Sequence, residues 1–180
     1  MKSISDMDQA ELAAYVQSHL RKKGIQVVLS GGAAVALYSE GLYVSKDLDM
    51  VNIYEARRRN ITSAMSDLGF SEYLRYFTHP DTKLFIDFVS GPLAIGKEPL
   101  DQVEEIEFST GVLRVISPTD CVKDRLAAFY YWGDHQCLEQ ATMVSQATKI
   151  DIEEIERWSR VEGKLEEFQS IRSRLVQNAD

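Results

Sequence analysis

Apolar positions along this chain change period several times, and each change predicts an element. From Asp8 to Lys23 they recur at helical spacing, with Leu12, Val16 and Leu20 on one face. Asp8 and Glu11 resemble a capping box at the start, and Gly24 ends the segment. Ile25 to Leu29 is a short β-branched run, which predicts a buried strand. Ser30-Gly31-Gly32 then turns the chain into Ala33-Ala34-Val35-Ala36-Leu37, a good helix former that Gly41 breaks. Asp47 to Ile53 reads as the next strand, and Glu55 to Leu68 as a helix with Gly69 as its C′ cap. Further strands are expected at Tyr73–Phe77, Leu84–Val89 and Val112–Ile116, the last two separated by a stretch containing Gly and Pro.

Beyond residue 116 the pattern is helical throughout. Ser117-Pro118-Thr119-Asp120 is a strong start signal: Ser117 as N-cap, Pro118 at N1 and Asp120 at N3. Asp151 with Glu154 looks like a second capping box, after which Ile152, Ile155 and Trp158 share a face. Gly163 separates a last helix whose stripe is Leu165, Phe168, Ile171 and Leu175. The expected class is therefore α+β: a β-sheet flanked by helices over residues 1–116, and a C-terminal helical segment, 117–180, packed on that core. A tail of about 64 residues is too small to be expected to fold alone. The chain shows no internal repeat and no low-complexity segment.

Composition narrows the classes. An apolar fraction of 44% is ordinary for a soluble globular chain of 180 residues. No apolar run approaches the ~20 residues that span a bilayer. The start, Met1-Lys2-Ser3-Ile4-Ser5-Asp6, lacks the apolar core of a secretory signal. Two cysteines, Cys121 and Cys137, with no CxxC, give no disulfide framework. A cytoplasmic location is expected and no membrane partner. The net charge of −8 should repel long nucleic acid unless basic residues cluster. The clusters are small: Arg21-Lys22-Lys23, suited to a helix C-terminus, and Arg57-Arg58-Arg59. The dipole gives no reason for three cations early in a helix, so a substrate-facing role competes there with a solvated face.

The chemistry concentrates in two short motifs and one isolated acid. Asp47 and Asp49 flank Leu48 on an expected strand, so both carboxylates point to one face. Side by side they repel, and a divalent cation between them relieves the repulsion; carboxylate, phosphate and water oxygens are what Mg²⁺ selects. Asp87 is the one charge within Leu84-Phe85-Ile86-Asp87-Phe88-Val89, and burial there is costly unless it is paired or metal-bound. If its strand lies beside the Asp47–Asp49 strand, three carboxylates meet, as in sites that hold two metals about 4 Å apart for phosphoryl displacement. Ser30-Gly31-Gly32 supplies the complement: two glycines let a phosphate approach the backbone at a helix N-terminus, and Ser30 adds a hydroxyl. Walker A and GxGxxG patterns are absent. Taken singly, a glycine pair is ordinarily a tight turn and an Asp pair a solvated edge; the ordered set is the specific signal.

That ordered set, an apolar run with Ser30-Gly31-Gly32, then Asp47-x-Asp49, then Asp87, resembles the DNA polymerase β-type nucleotidyltransferase superfamily. The likeness is to its small prokaryotic members, AbiEii-type toxin nucleotidyltransferases among them, over residues 24–130. The resemblance implies a mixed sheet flanked by helices and a metal-dependent enzyme. It also implies transfer of a nucleoside monophosphate from an NTP such as ATP to a hydroxyl, with pyrophosphate released. By it, Gly31 and Gly32 hold phosphate, Asp47, Asp49 and Asp87 hold Mg²⁺ in a two-metal site, and Asp87 helps deprotonate the acceptor. Pro118-Thr119-Asp120-Cys121-Val122-Lys123-Asp124-Arg125-Leu126 is similar to the family's proline-started helix, which would turn Lys123 toward the triphosphate; a solvated lysine is the plain alternative. The stretch from Gly32 to Asp47 is slightly longer than the family's usual gap. The acceptor is left open between RNA, a protein side chain and a small molecule, and a toxin–antitoxin pair with an antitoxin partner is one setting.

Other residues carry less. His79 and His135 have no partner spacing for catalysis, and His135 with Cys137 is no recognisable metal site. Tyr130-Tyr131-Trp132 is expected to pack on the last helices, and both cysteines to be buried thiols. The rival to an enzyme is a catalytically inactive module of the same fold that binds nucleotide or protein.

Overall fold

The computed structural model describes residues 2–100 and 102–176. The capping box expected at Asp8 forms: its carboxylate accepts from Glu11 N, and Glu11 accepts from Asp8 N, opening α1, Gln9–Lys22. Strand β1, Val27–Ser30, leads with no loop into α2, Gly31–Tyr38. Strand β2 is Asp47–Asn52. The following helix, α3, runs Arg58–Asp67 and starts later than Glu55. The reason is Asn52, whose side-chain amide bonds both Ala56 O and Ala56 N and holds residues 52–56 as a turn.

The segment Tyr73–Phe77, expected as one strand, is instead a hairpin. Strands β3, Ser71–Tyr73, and β4, Tyr76–Thr78, pair antiparallel about Leu74 and Arg75, with Leu74 at φ +56°. Strand β5 is Phe85–Ser90. A small ribbon follows, β6 (Ala94–Ile95) with β7 (Glu98–Pro99), and then β8, Glu104–Phe108, and β9, Gly111–Val115. Among the described residues the main sheet has seven strands, in the order β3-β4-β5-β2-β1-β9-β8. It is mixed: β2 runs parallel to β5 and β1 to β9, and the remaining pairs are antiparallel.

The C-terminal helices are α4, Pro118–Trp132; α5, His135–Ala147; α6, Ile152–Val161; and α7, Leu165–Leu175. Ser117 caps α4 by accepting from Asp120 N, with Pro118 in the first turn. Asp151 caps α6, but the second capping box is only half made, because the Glu154 carboxylate turns to Lys123 and Arg157. Tyr130 stacks on the buried Trp158 at 5.8 Å, and its hydroxyl meets Ser159. Trp132, by contrast, is exposed. Sheet and C-terminal helices share one apolar cluster that runs from Leu12 and Leu29 through Met50 and Ile86 to Leu126, Trp158 and Phe168. Among the described residues, no helix is long and apolar enough to cross a membrane.

Candidate functional site

Register assembles the site. In the antiparallel pair Ser30 lies opposite Asp49, in the parallel pair Asp49 lies opposite Asp87, and beyond it Asp87 lies opposite Tyr76. Directly paired residues present their side chains to the same face, so Ser30, Asp49, Asp87 and Tyr76 form one row across four strands. Asp47 stands two residues earlier on the same face of β2, opposite Phe85. The strand alternates as expected: Leu48, Met50 and Asn52 are buried, while Asp47 is exposed and Asp49 half-buried.

Burial holds the Asp49 carboxyl above the usual carboxylate range, and the nearby charges of Asp87 and Asp47 push it the same way. The charge of Arg125 on α4 opposes them. Arg125 is held by Asp124 and by Gln140 Oε1 at 3.3 Å. Asp87 is nearly buried and has a cation of its own: Arg75 Nη2 lies 2.8 Å from its Oδ2.

The glycines sit against this row. Gly31 is the first residue of α2 and has φ +63°, a conformation that favours glycine. A Cβ at Gly31 would collide with Asp49 Oδ2. A Cβ at Gly32 would lie 3.1 Å from Ser45 Oγ and 3.4 Å from the Tyr43 ring. Ser30, the N-cap residue, makes no side-chain cap bond, so the first turn of α2 begins without a hydroxyl closing it. Beside the row, Ser30, Val51, Val89 and Asp124 line a recess of about 210 Å³ that the β6–β7 ribbon also borders through Ala94 and Ile95.

The structure therefore brings Ser30, Gly31, Gly32, Asp47, Asp49 and Asp87 together. It leaves Lys123 apart from them. That side chain is 5% exposed, and its ammonium bonds Glu154 Oε1 at 2.6 Å and meets Asp120 Oδ1 at 3.3 Å. The lysine expected to face a triphosphate, or else water, instead ties α4 to α6. Of the arginine run, Arg58 bonds Glu72 and Arg75 O and lies 4.7 Å over the Phe77 ring, bracing the hairpin. Residues that sequence reasoning missed are Arg75, Tyr76, Asp124 and Arg125. The last two lie on α4, directly after Lys123.

Carboxylate and hydroxyl oxygens are the donors a hard divalent cation takes, and the charge repulsion at Asp49 is of the kind a cation relieves. The donor set fits magnesium. Among the described residues, no three acidic, histidine or cysteine side chains are already disposed as a metal cage.

No family model matches the chain, and no curated protein matches it. Among solved structures it is similar to ANT(2")-Ia in complex with adenylyl-2"-tobramycin, at 15% identity and TM-score 0.55, over 86% of this chain and 97% of that one. It is also similar to an antigenic nucleotidyltransferase-like protein from Paracoccidioides brasiliensis, at 12% identity and TM-score 0.61, over 93% of this chain and 92% of that one. At such identities the likeness speaks to architecture, and on that ground this chain has the α+β fold of these nucleotidyltransferase structures along nearly its whole length.

Proposed function

We propose that the protein transfers a nucleoside monophosphate from an NTP to a hydroxyl, with release of pyrophosphate. The observation that carries this reading is the register row: Asp49 opposite Asp87 and Ser30, against the glycine that starts α2. Asp47, Asp49 and Asp87 would hold Mg²⁺, which when bound supplies charge neutralisation of the phosphates. The N–H groups of Gly31 and Gly32, at the positive end of α2, would receive phosphate oxygens, with the Ser30 hydroxyl as a further donor. A carboxylate of the row would accept the acceptor's proton, and Asp87, next to the aromatic Tyr76, is the group assigned that part. Lys123 has no share in this proposal because its charge is already spent.

The test is incubation of the full chain with each NTP labelled at the α-phosphate, with Mg²⁺, with and without a cell extract. Label should reach RNA, protein or a small molecule, and should fall to background in Asp49→Asn and in Asp47→Asn. Transfer that both variants retain, or that wild type never shows, would sink the reading. Label found on host RNA or protein would support a toxin–antitoxin setting; label on a small molecule would argue against it.

A further inference from the structure

Arg75 is a basic side chain that no expectation placed in this site, and its setting is unusual. It is 69% exposed, yet its guanidinium reaches Asp87, which is 8% exposed. The same guanidinium lies 4.9 Å over the Tyr76 ring, and the charge of Asp49 acts on it weakly, after that of Asp87. It hangs from the turn of the β3–β4 hairpin, between Leu74 at φ +56° and Tyr76. The backbone of that turn is fastened: Arg58 Nη2 donates to Arg75 O at 2.7 Å. An anchored main chain with a long exposed side chain lets the guanidinium rotate away while the hairpin stays put.

We propose that Arg75 is an internal stand-in for the cation. In the unloaded protein it neutralises Asp87, and on loading it yields that carboxylate to the divalent ion and turns to the anionic reactant. The inference rests on the acid row being a metal site. Its physical basis is competition: a carboxylate that already has a positive partner gives up that ion pair when it takes another. The exposure of Arg75 keeps the exchange inexpensive, because the released guanidinium returns to water. An arginine with only a structural role would show no such linkage to metal.

The experiment measures Mn²⁺ binding to the full chain by electron paramagnetic resonance, without nucleotide. Arg75→Gln should bind Mn²⁺ about two- to fivefold more tightly than wild type, the range set by a largely exposed ion pair, and Arg75→Lys should fall between. Equal or weaker binding by Arg75→Gln overturns the stand-in while leaving the metal site intact. Failure of both proteins to bind Mn²⁺, or binding that survives Asp49→Asn with Asp87→Asn, overturns the metal site itself and the stand-in with it. Addition of an NTP should erase most of the difference between wild type and Arg75→Gln; a difference that persists overturns the proposed turn toward the anionic reactant.

Discussion

Gly31 carries a narrow constraint within the candidate site. Two independent demands meet at one Cα: a positive φ at the start of α2, and a carboxylate where a side chain would go. A methyl group there must take up a left-handed conformation, which costs about 1–2 kcal/mol, and must also displace Asp49. Gly31→Ala is expected to lower stability by about 1–3 kcal/mol, read from urea unfolding, and to abolish nucleotidyl transfer even where the variant folds. A variant that kept full activity would show that Asp49 need not stand against the helix start. Gly32 has more room, because its neighbours are the ends of side chains, Ser45 and Tyr43, rather than a row member.

At the scale of elements, α6 holds distant parts together. Glu154 meets Lys123 of α4 and Arg157 of its own helix, and Arg157 reaches Glu98 of β7 with a two-pronged bond. Trp158 Nε1 donates to Ile95 O, and Glu162 accepts from Lys97 N, so the β6–β7 ribbon beside the recess is pinned from one side. The bonds from Arg157 and Lys123 hold the Glu154 carboxyl down at about 2 against the pull of burial. Its folded value lies below its unfolded one, so its contribution is full above the unfolded value and disappears as pH falls through about 2. Glu154→Gln should cost about 2–3 kcal/mol at pH 7, because it leaves the buried Lys123 with Asp120 alone. The deficit should shrink between about pH 5 and pH 2, and adding Lys123→Met should restore most of it; thermal melts across pH check both.

How much of this the sequence disclosed depends on the range over which each signal acts. The paired aspartates and the glycine step were legible because strand alternation and helix starts are local. Whether Asp87 joined them was only conditional, since register between strands separated by a helix and a hairpin is fixed by tertiary packing. Arg75 was hidden because the Leu74–Arg75 turn has neither Gly nor Asn, so the stretch read as continuous strand. β8 escaped notice because Glu104-Glu105-Ile106-Glu107 has the composition of a loop. The burial of Lys123 was hidden for a related reason: its main partner lies 31 residues away, and lysine is seldom buried unless paired.

For the molecule as a whole, the C-terminal helices complete the core. Trp158, Ile155 and Phe168 are fully buried in the same cluster as the sheet residues Leu48 and Met50. We propose that residues 117–180 are a segment packed on the 1–116 core and not an independent unit. Removal of residues 150–180 should expose that apolar surface, release the β6–β7 ribbon and give a chain that aggregates or melts far below the full-length protein. A truncated chain that stayed monomeric with an unchanged melting temperature would refute this.

The sheet ends, at β8, on a strand carrying Glu104, Glu105 and Glu107, all exposed. Strand edges with unpaired backbone groups invite a second chain to add on, and like charges along them make that contact repulsive. At the other end of the sheet β3 is only three residues long, too short to template much. The acidic balance of this protein thus has a local consequence that has nothing to do with nucleotides: like charge along this edge opposes the addition of a second copy to the sheet. That protection weakens as the medium approaches the isoelectric point near 5.0, where the net charge of the chain vanishes.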